Sequence, residues 1–141
     1  MKLVDANVLL YALDRDAHHH STARRWLDSA LSGEETVAFA WVALLAFVRL
    51  ATRADLFPNP LTVDAAFDRV DAWLSADAAV VLQPTPEHGR VLRQLLTRVG
   101  AGGNLVNDGH LAALAVEHRA TVVSYDGDFA RFDGVTWEQP T

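Results

Sequence analysis

Short apolar segments alternate with helix-like segments along the whole chain, and this alternation limits the possible folds more than any other feature. The strand-like segments span residues 2–4, 36–40, 79–83 and 120–124, with a possible fifth at 132–138. The helix-like segments span residues 8–13, 23–31, 41–53, 62–75, 85–99 and 105–118. Apolar strands that do not alternate with polar residues are buried on both faces, and helices between them form crossover connections. The sequence therefore predicts an α/β fold in three layers, with a mainly parallel central sheet of four to five strands flanked by helices.

The size and composition of the chain predict a single domain over residues 1–141. Half of the residues are hydrophobic and 21% are charged, which is the balance of an ordinary soluble globular protein. No apolar run approaches the ~20 residues that span a bilayer, and the N-terminus lacks the pattern of a signal peptide. We therefore expect no membrane association and a cytoplasmic location.

Two features of the composition limit the classes of function that the chain can have. The chain has no cysteine, which excludes disulfides, thiolate metal sites and cysteine nucleophiles. Its formal net charge is -6 at pH 7, whereas a passive nucleic-acid-binding module usually carries a basic surface. An enzyme that approaches phosphate through a metal ion does not need such a surface, so that class stays open.

Capping residues and hydrophobic periodicity predict where some helices begin and how they are buried. Ser21 or Thr22 has the side chain to cap the second helix, and Gly33 is placed to end it. Thr85 followed by Pro86 is typical of a helix start. The third helix, residues 41–53, is apolar almost all round, which predicts burial on several sides or a subunit interface.

Aspartates follow the carboxyl ends of two predicted strands, and another aspartate lies at the start of a predicted helix. Asp5 follows the first strand, and Asp126 and Asp128 follow the fourth. Asp108 lies in the first turn of the helix that leads into the fourth strand, and it heads an apolar helix face, so its carboxylate should point into the fold. In open parallel sheets, ligands bind beyond the carboxyl ends of the strands. These acids are therefore the candidate site.

Each aspartate also has a purely structural interpretation. Asp5 and Asp128 are placed to cap short helices, Asp126 begins an Asp-Gly turn, and Asp108 is an ordinary first-turn acid. Acids that converge at one edge of a sheet, however, repel one another unless a positive charge lies between them. A hard divalent cation with oxygen ligands, Mg²⁺ or Mn²⁺, meets that need. The joint pattern predicts a metal site.

Three stretches of the chain together resemble a known family. They are VDANVLLYAL at the start, WVALLAFVRLAT in the third helix, and NLVNDGHLAALAVEHRATVVSYDGDFARF near the end. The sequence resembles PIN-domain ribonucleases, in particular the VapC toxins of VapBC toxin–antitoxin systems. The resemblance covers essentially the whole chain.

The resemblance implies a metal-dependent endoribonuclease that cleaves RNA, is neutralised by a VapB-type antitoxin and forms a homodimer. By position, Asp5, Asp108 and Asp126 match metal-binding and catalytic acids of the family, and Asp128 matches a further acid of less certain role. Asn7 and Ser124 match polar residues that line the same site. Mg²⁺ or Mn²⁺ is the implied cofactor.

One position departs from the family pattern. Many PIN domains carry a glutamate on the third helix, in a pattern like E-F-x-R, where this chain has Ala46. Ala46 leaves a second metal position open, with Asp128, Asn7 or added waters as alternative sources of the missing oxygen, and we expect one firmly held metal ion. Arg49 and Arg53 share a helix face with Ala46, so we expect them to contact RNA phosphate beside the site, with pairing to a surface acid as the alternative.

Three other functions are compatible with parts of the sequence. A PIN domain without catalysis would act by binding protein or RNA, and Ala46 is the residue that favours it. A phosphohydrolase similar to haloacid dehalogenases also has an aspartate after its first strand, but it resembles D-x-D where this chain has Asp5-Ala6-Asn7. A receiver-type signalling domain needs a lysine near its acidic pocket, late in the chain. The single lysine here is Lys2, which argues strongly against that class.

Overall fold

The computed structural model describes residues 1–141 and contains five strands and six α-helices. The strands are β1 (Lys2–Val4), β2 (Val37–Phe39), β3 (Ala79–Val81), β4 (Thr121–Val123) and β5 (Trp137–Glu138). The helices are α1 (Ala6–Leu13), α2 (His20–Leu31), α3 (Trp41–Ala51), α4 (Val63–Leu74), α5 (His88–Val99) and α6 (Leu105–His118). A short 3-10 helix, Gly127–Arg131, follows β4.

The five strands form one sheet in the order β3-β2-β1-β4-β5, and every neighbouring pair is parallel. From β1 the chain continues to β2 and β3 on one side of the sheet, and then to β4 and β5 on the other. The strand order therefore reverses between β1 and β4, which is where open α/β sheets bind their ligands. The predicted parallel sheet is confirmed, including its possible fifth strand.

Helices cover both faces of the sheet because successive strand residues point to opposite sides. Leu3 and Val122 pack in the buried core that α5 and α6 cover. Val4 and Val123 pack in the opposite core, with residues of α1, α2, α3 and α4. The three-layer prediction is therefore confirmed, and the ends of β1 and β4 are held rigidly between two cores.

The predicted start of α2 is wrong. The helix begins at His20, and its N-cap residue is His19, which makes no capping hydrogen bond with its side chain. Ser21 and Thr22 therefore lie inside the first turn. A contact with the preceding helix supports this start: Nδ1 of His20 lies 2.8 Å from the backbone carbonyl oxygen of Tyr11 in α1.

The start of α5 also differs from the prediction. The helix begins at His88 after Glu87, so Thr85 and Pro86 lie before it. The hydroxyl of Thr85 donates a hydrogen bond of 2.6 Å to Glu117 of α6, and the Thr85 backbone N–H donates another of 2.8 Å. The Thr85 hydroxyl also accepts a hydrogen bond of 3.2 Å from the Glu87 backbone N–H, so Thr85 stabilises the turn before α5 and is not the N-cap residue of the helix.

Helix α3 is buried along one side and leaves apolar side chains exposed on the other. Leu44 and Phe47 are fully buried, whereas Trp41 is 42% exposed and Leu45 is 56% exposed. The helix ends at Ala51, so Arg53 lies beyond it. None of the chain's helices is long and apolar enough to cross a membrane.

Candidate functional site

Asp5 connects β1 to α1 and has both of the roles considered for it. Its backbone N–H donates to the carbonyl of Val123 in β4 at 3.0 Å, which fixes it at the end of the central strands. One carboxylate oxygen accepts a hydrogen bond of 2.7 Å from the N–H of Ala6 and so caps α1. The other accepts a hydrogen bond of 2.7 Å from the hydroxyl of Ser124. Capping therefore orients the Asp5 carboxylate and does not exclude a site role.

Ser124 joins the ends of β1 and β4. It is fully buried, and its hydroxyl oxygen accepts hydrogen bonds of 3.0 Å from the Asn7 side-chain amide and from the Asp126 backbone N–H. The Asn7 side-chain oxygen in turn accepts a hydrogen bond of 3.1 Å from the backbone of Tyr125. Asn7 and Ser124 thus lie in the site, where they hold Asp5 and Asp126 in place.

Asp126 and Asp128 belong to the turn that follows β4. Asp126 caps the 3-10 helix, because its side chain accepts a hydrogen bond of 2.9 Å from the backbone N–H of Asp128. Asp128 is exposed, and one of its carboxylate oxygens lies 3.9 Å from the guanidinium of Arg131. An oxygen from each of Asp108, Asp126 and Asp128 lies within 4.8 Å of the other two.

Asp108 completes this group from the first turn of α6. The helix face below it is buried as predicted, at Leu111, Ala112 and Ala115. Burial raises the pKa of Asp108 to about 6, and the charges of the other three aspartates add to the effect. Its position near the N-terminus of α6 does not offset this destabilisation, because a helix dipole contributes only about 0.3–1 kcal/mol.

The pKa of Asp5 is also raised. Burial is the main cause, and repulsion from Asp126 adds to it, while the hydrogen bonds from Ser124 and Ala6 act in the opposite direction. Asp5 lies beside the group formed by Asp108, Asp126 and Asp128, since its charge raises the pKa of Asp108 and the charge of Asp126 raises the pKa of Asp5. The structure thus brings all four predicted acids to one place.

The chemistry of these donors fits a hard divalent cation. All of them are carboxylate oxygens, which suit Mg²⁺ or Mn²⁺ and disfavour metals that prefer sulfur or nitrogen ligands. A cation among them would remove the repulsion that, together with burial as the larger cause, raises the pKa of Asp108. Asp108, Asp126 and Asp128 are close enough to share such an ion, and Asp5 borders it.

A cleft of about 230 Å³ opens between α3 and α6 beside these acids. Asp5 and Asp108 line it, together with Ala46 and Arg49 from α3. Arg53 is not among the residues that line the cleft; its guanidinium forms an exposed ion pair with Asp55. The two arginines considered for RNA contact are thus separated, and Arg49 alone borders the acidic site.

Two cleft residues, Asn104 and Asn107, were not identified from the sequence. Both line the cleft from the start of α6. Their spacing from Asp108 and Leu111 is the signal that was available, because residues i, i+3, i+4 and i+7 share one helix face. The sequence does not show that α3 lies opposite that face, so the cleft itself was not predictable.

Comparison with known proteins agrees with this geometry. The family model described as PIN domain matches residues 2–135. Ribonuclease VapC37 of Mycobacterium tuberculosis is 61% identical over 140 residues, which cover 99% of this chain and 97% of that protein.

Two solved structures share the fold. VapBC2 from Rickettsia felis, bound to a DNA fragment from its promoter, superposes with a TM-score of 0.73 at 17% identity and covers 99% of this chain and 98% of that chain. VapC20 of Mycobacterium tuberculosis, described as a toxin that cleaves the sarcin-ricin loop, superposes with a TM-score of 0.70 at 19% identity, covering 96% and 99%. The chain therefore belongs to the PIN-domain family and, within it, to the VapC ribonucleases.

Proposed function

We propose that this protein is a metal-dependent endoribonuclease that hydrolyses RNA phosphodiester bonds. The observation that carries the proposal is the meeting of Asp5, Asp108, Asp126 and Asp128 at the point where the strand order reverses. These acids repel one another, and their one ion pair within the chain is that of Asp128 with Arg131, at 3.9 Å. The similarity to a ribonuclease over almost the whole chain supports the same activity.

The carboxylates of Asp108 and Asp126, with Asp5 beside them and Asp128 at the exposed edge, would hold one Mg²⁺ or Mn²⁺ ion. When bound, this ion supplies a water of lowered pKa and polarises a phosphoryl oxygen. Ser124 and Asn7 keep the Asp5 carboxylate in a fixed orientation, so little reorganisation is needed when RNA binds. A carboxylate in this group accepts the proton of the attacking water. No residue forms a covalent intermediate in this scheme.

The partners that we propose are an RNA substrate, a VapB-type antitoxin and a second copy of this chain. The exposed apolar side chains Trp41 and Leu45 on α3 favour a protein interface on that helix. The solved VapBC2 complex supports an antitoxin partner, since it shares this fold. We expect the protein to act as a single domain in the cytoplasm, where RNA is available.

The proposal is tested by incubating purified, antitoxin-free protein with a mixed RNA pool. We expect discrete fragments with Mn²⁺ or Mg²⁺, no cleavage with EDTA, and no cleavage by Asp5→Ala prepared in the same way. Glu87→Ala, at an exposed position of the loop before α5, serves as a control that retains cleavage. Equal cleavage by wild type and Asp5→Ala would reject the proposal.

A second candidate function is binding without catalysis, and Ala46 favours it because the position lacks the family's glutamate. Such a protein would bind RNA or a protein partner and would leave the pool uncut at every metal concentration. The same experiment therefore separates the two functions.

A further inference from the structure

We propose that the cleft between α3 and α6 binds one unpaired base of the RNA and that Asn104 and Asn107 read its edge. The inference rests on the proposed ribonuclease function and adds a source of base selectivity to it. The residues proposed to contact the base lie on α3 and at the start of α6, and none of them is a proposed metal ligand.

The shape of the cleft suits a flat ring. Val42, Ala43 and Ala46 form an apolar wall on α3, and Leu111 contributes to the α6 side. The volume of about 230 Å³ is smaller than the ~300–1,000 Å³ of pockets that enclose drug-sized ligands. One apolar wall that faces polar side chains, in a cleft of this volume, favours a single base over an extended peptide segment.

Asn104 and Asn107 supply the groups that recognise the edge of a base. Both are exposed and line the cleft, and the Asn104 side chain makes no capping hydrogen bond to α6. An asparagine amide offers a donor and an acceptor side by side, which is the pattern that pairs with a base edge. Sequence-specific proteins read unpaired RNA bases in this way, with hydrogen bonds to one edge and contacts to the ring faces.

The position of the cleft links the base to the cleavage site. Asp5 and Asp108 line the same cleft, so a base held there places its own phosphate near the acids. Arg49 also lines the cleft, and none of the chain's ion pairs includes it. Its guanidinium is therefore free to contact a phosphate of the same strand.

Ala46 explains why this space exists. A glutamate at this position would extend a longer, charged side chain into the cleft and would repel the neighbouring acids. The alanine leaves the volume open and keeps that part of the wall apolar. Loss of the glutamate thus removes one possible metal ligand and creates room for a base.

The first test compares cleavage of four oligoribonucleotides that differ only in the base next to a mapped cleavage site. We expect wild type to prefer one base by about tenfold or more, as a single good side-chain pairing provides. Asn107→Ala and Ala46→Leu should bring the four rates to within about twofold, mainly through the preferred substrate. Asn59→Ala, an exposed asparagine in the loop before α4, should leave the preference unchanged. An unchanged preference in both Asn107→Ala and Ala46→Leu would overturn the proposal, even with cleavage intact.

The second test needs no cleavage and no metal. The four nucleosides are titrated into isotope-labelled protein, and backbone amide shifts are followed by NMR. We expect one nucleoside to shift the amides of Ala46 and Asn107 more than the others do, and Asn107→Ala to remove the difference. If the wild type cuts no RNA but shows this selectivity, the base site stands and the ribonuclease proposal falls. If no nucleoside shifts the cleft amides, the base site is rejected, and a peptide side chain becomes the better occupant.

Discussion

Two groups of polar side chains in this molecule place their carboxylates in opposite electrostatic environments. Glu117 on α6 accepts hydrogen bonds from the backbone and hydroxyl of Thr85 and contacts the His88 ring, although its side chain is only 2% exposed. Burial acts to raise the pKa of Glu117, but these hydrogen bonds outweigh burial and lower it. Asp108, on the same helix, has other carboxylates as neighbours, and its pKa rises to about 6.

The opposite pKa shifts of Glu117 and Asp108 show which of the two carboxylates has its hydrogen-bond partners within the chain. Glu117 ties the segment before α5 to α6, and its partners are all supplied by the fold. Asp108 is held where its charge is costly, and strain of this kind is retained where it serves a function. We therefore assign Glu117 a structural role and propose a ligand role for Asp108.

Of the substitutions considered, removal of the Glu117 carboxylate should have the largest effect on the free energy of unfolding. Glu117→Ala leaves the hydrogen-bonding groups of Thr85 and His88 without their partner, which should lower the free energy of unfolding by about 3 kcal/mol and the Tm by about 8–12 °C. Thermal unfolding followed by circular dichroism measures this. Glu87→Ala is the matched control, because its exposed ion pair with Arg90 contributes at most about 1 kcal/mol. Equal effects of the two variants would contradict the structural role of Glu117.

Mn²⁺ should stabilise the wild-type protein, since it binds the folded acids and not the unfolded chain. At ten times its dissociation constant the expected gain is about 1.4 kcal/mol, or a rise of several degrees in Tm, reversed by EDTA. Asp126→Asn should lose most of this gain, and Glu117→Gln should keep it. A gain that survives in Asp126→Asn would place the cation elsewhere.

Asp108→Asn should raise the Tm of the metal-free protein by a few degrees at pH 7.5. The folded-state pKa of about 6 lies above the ~3.9 of an unfolded aspartate, so the folded state binds more protons between these values. The contribution of Asp108 to stability therefore falls as pH rises through this window, and the cost is complete above it. Asp108 is half-exposed, so solvent screening keeps the effect modest.

The pH dependence of that gain shows whether it comes from the charge of Asp108, which burial and repulsion both disfavour. The advantage of Asp108→Asn should shrink as pH falls from about 6 towards 4 and should vanish by about pH 3, where Asp108 is protonated in both states. Asp64→Asn, in the first turn of α4, should instead lower stability slightly at neutral pH, because it loses a favourable helix-dipole interaction. A fall in Tm for Asp108→Asn would mean that Asp108 has a structural partner within the fold.

The smallest effect that we expect is on RNA binding, when two arginines, Arg49 and Arg53, are compared. Arg49 borders the acidic cleft and has no ion-pair partner, whereas Arg53 pairs with Asp55. In the Asp126→Asn background, Arg49→Ala should weaken RNA binding several-fold and reduce its salt dependence by about one phosphate contact. Arg53→Ala should change neither quantity by a measurable amount. Fluorescence anisotropy with labelled RNA at several salt concentrations measures the affinity and its salt dependence for both variants.

The sequence predicted the parts of this molecule that depend on local pattern. The parallel sheet followed from unalternating apolar strands, and the inward face of α6 followed from the spacing of Leu111, Ala112 and Ala115. The convergence of Asp5 and Asp126 followed from the rule that the carboxyl ends of parallel strands share an edge, and the inward position of Asp108 followed from the apolar helix face that it heads.

The features that were missed all depend on contacts between distant segments. Thr85 has the right side chain for a helix cap, but its hydroxyl donates to Glu117 of α6 and accepts from Glu87 in the turn before α5. His20 begins α2 beside the carbonyl of Tyr11, which no local propensity encodes. Asn107 becomes part of a cleft only because α3 lies opposite α6. Spacing along one helix identifies a face, but it does not identify what that face meets.

The most direct test of this account is to locate a bound cation. Crystals of the protein soaked in Mn²⁺ and measured near the manganese absorption edge would give an anomalous difference map. The account predicts a peak among the carboxylates of Asp5, Asp108, Asp126 and Asp128, and no peak at Glu117 and His88, where the fold already satisfies the charge. Full Mn²⁺ saturation without a peak at the aspartates would contradict the claim that their repulsion is maintained for a metal ion.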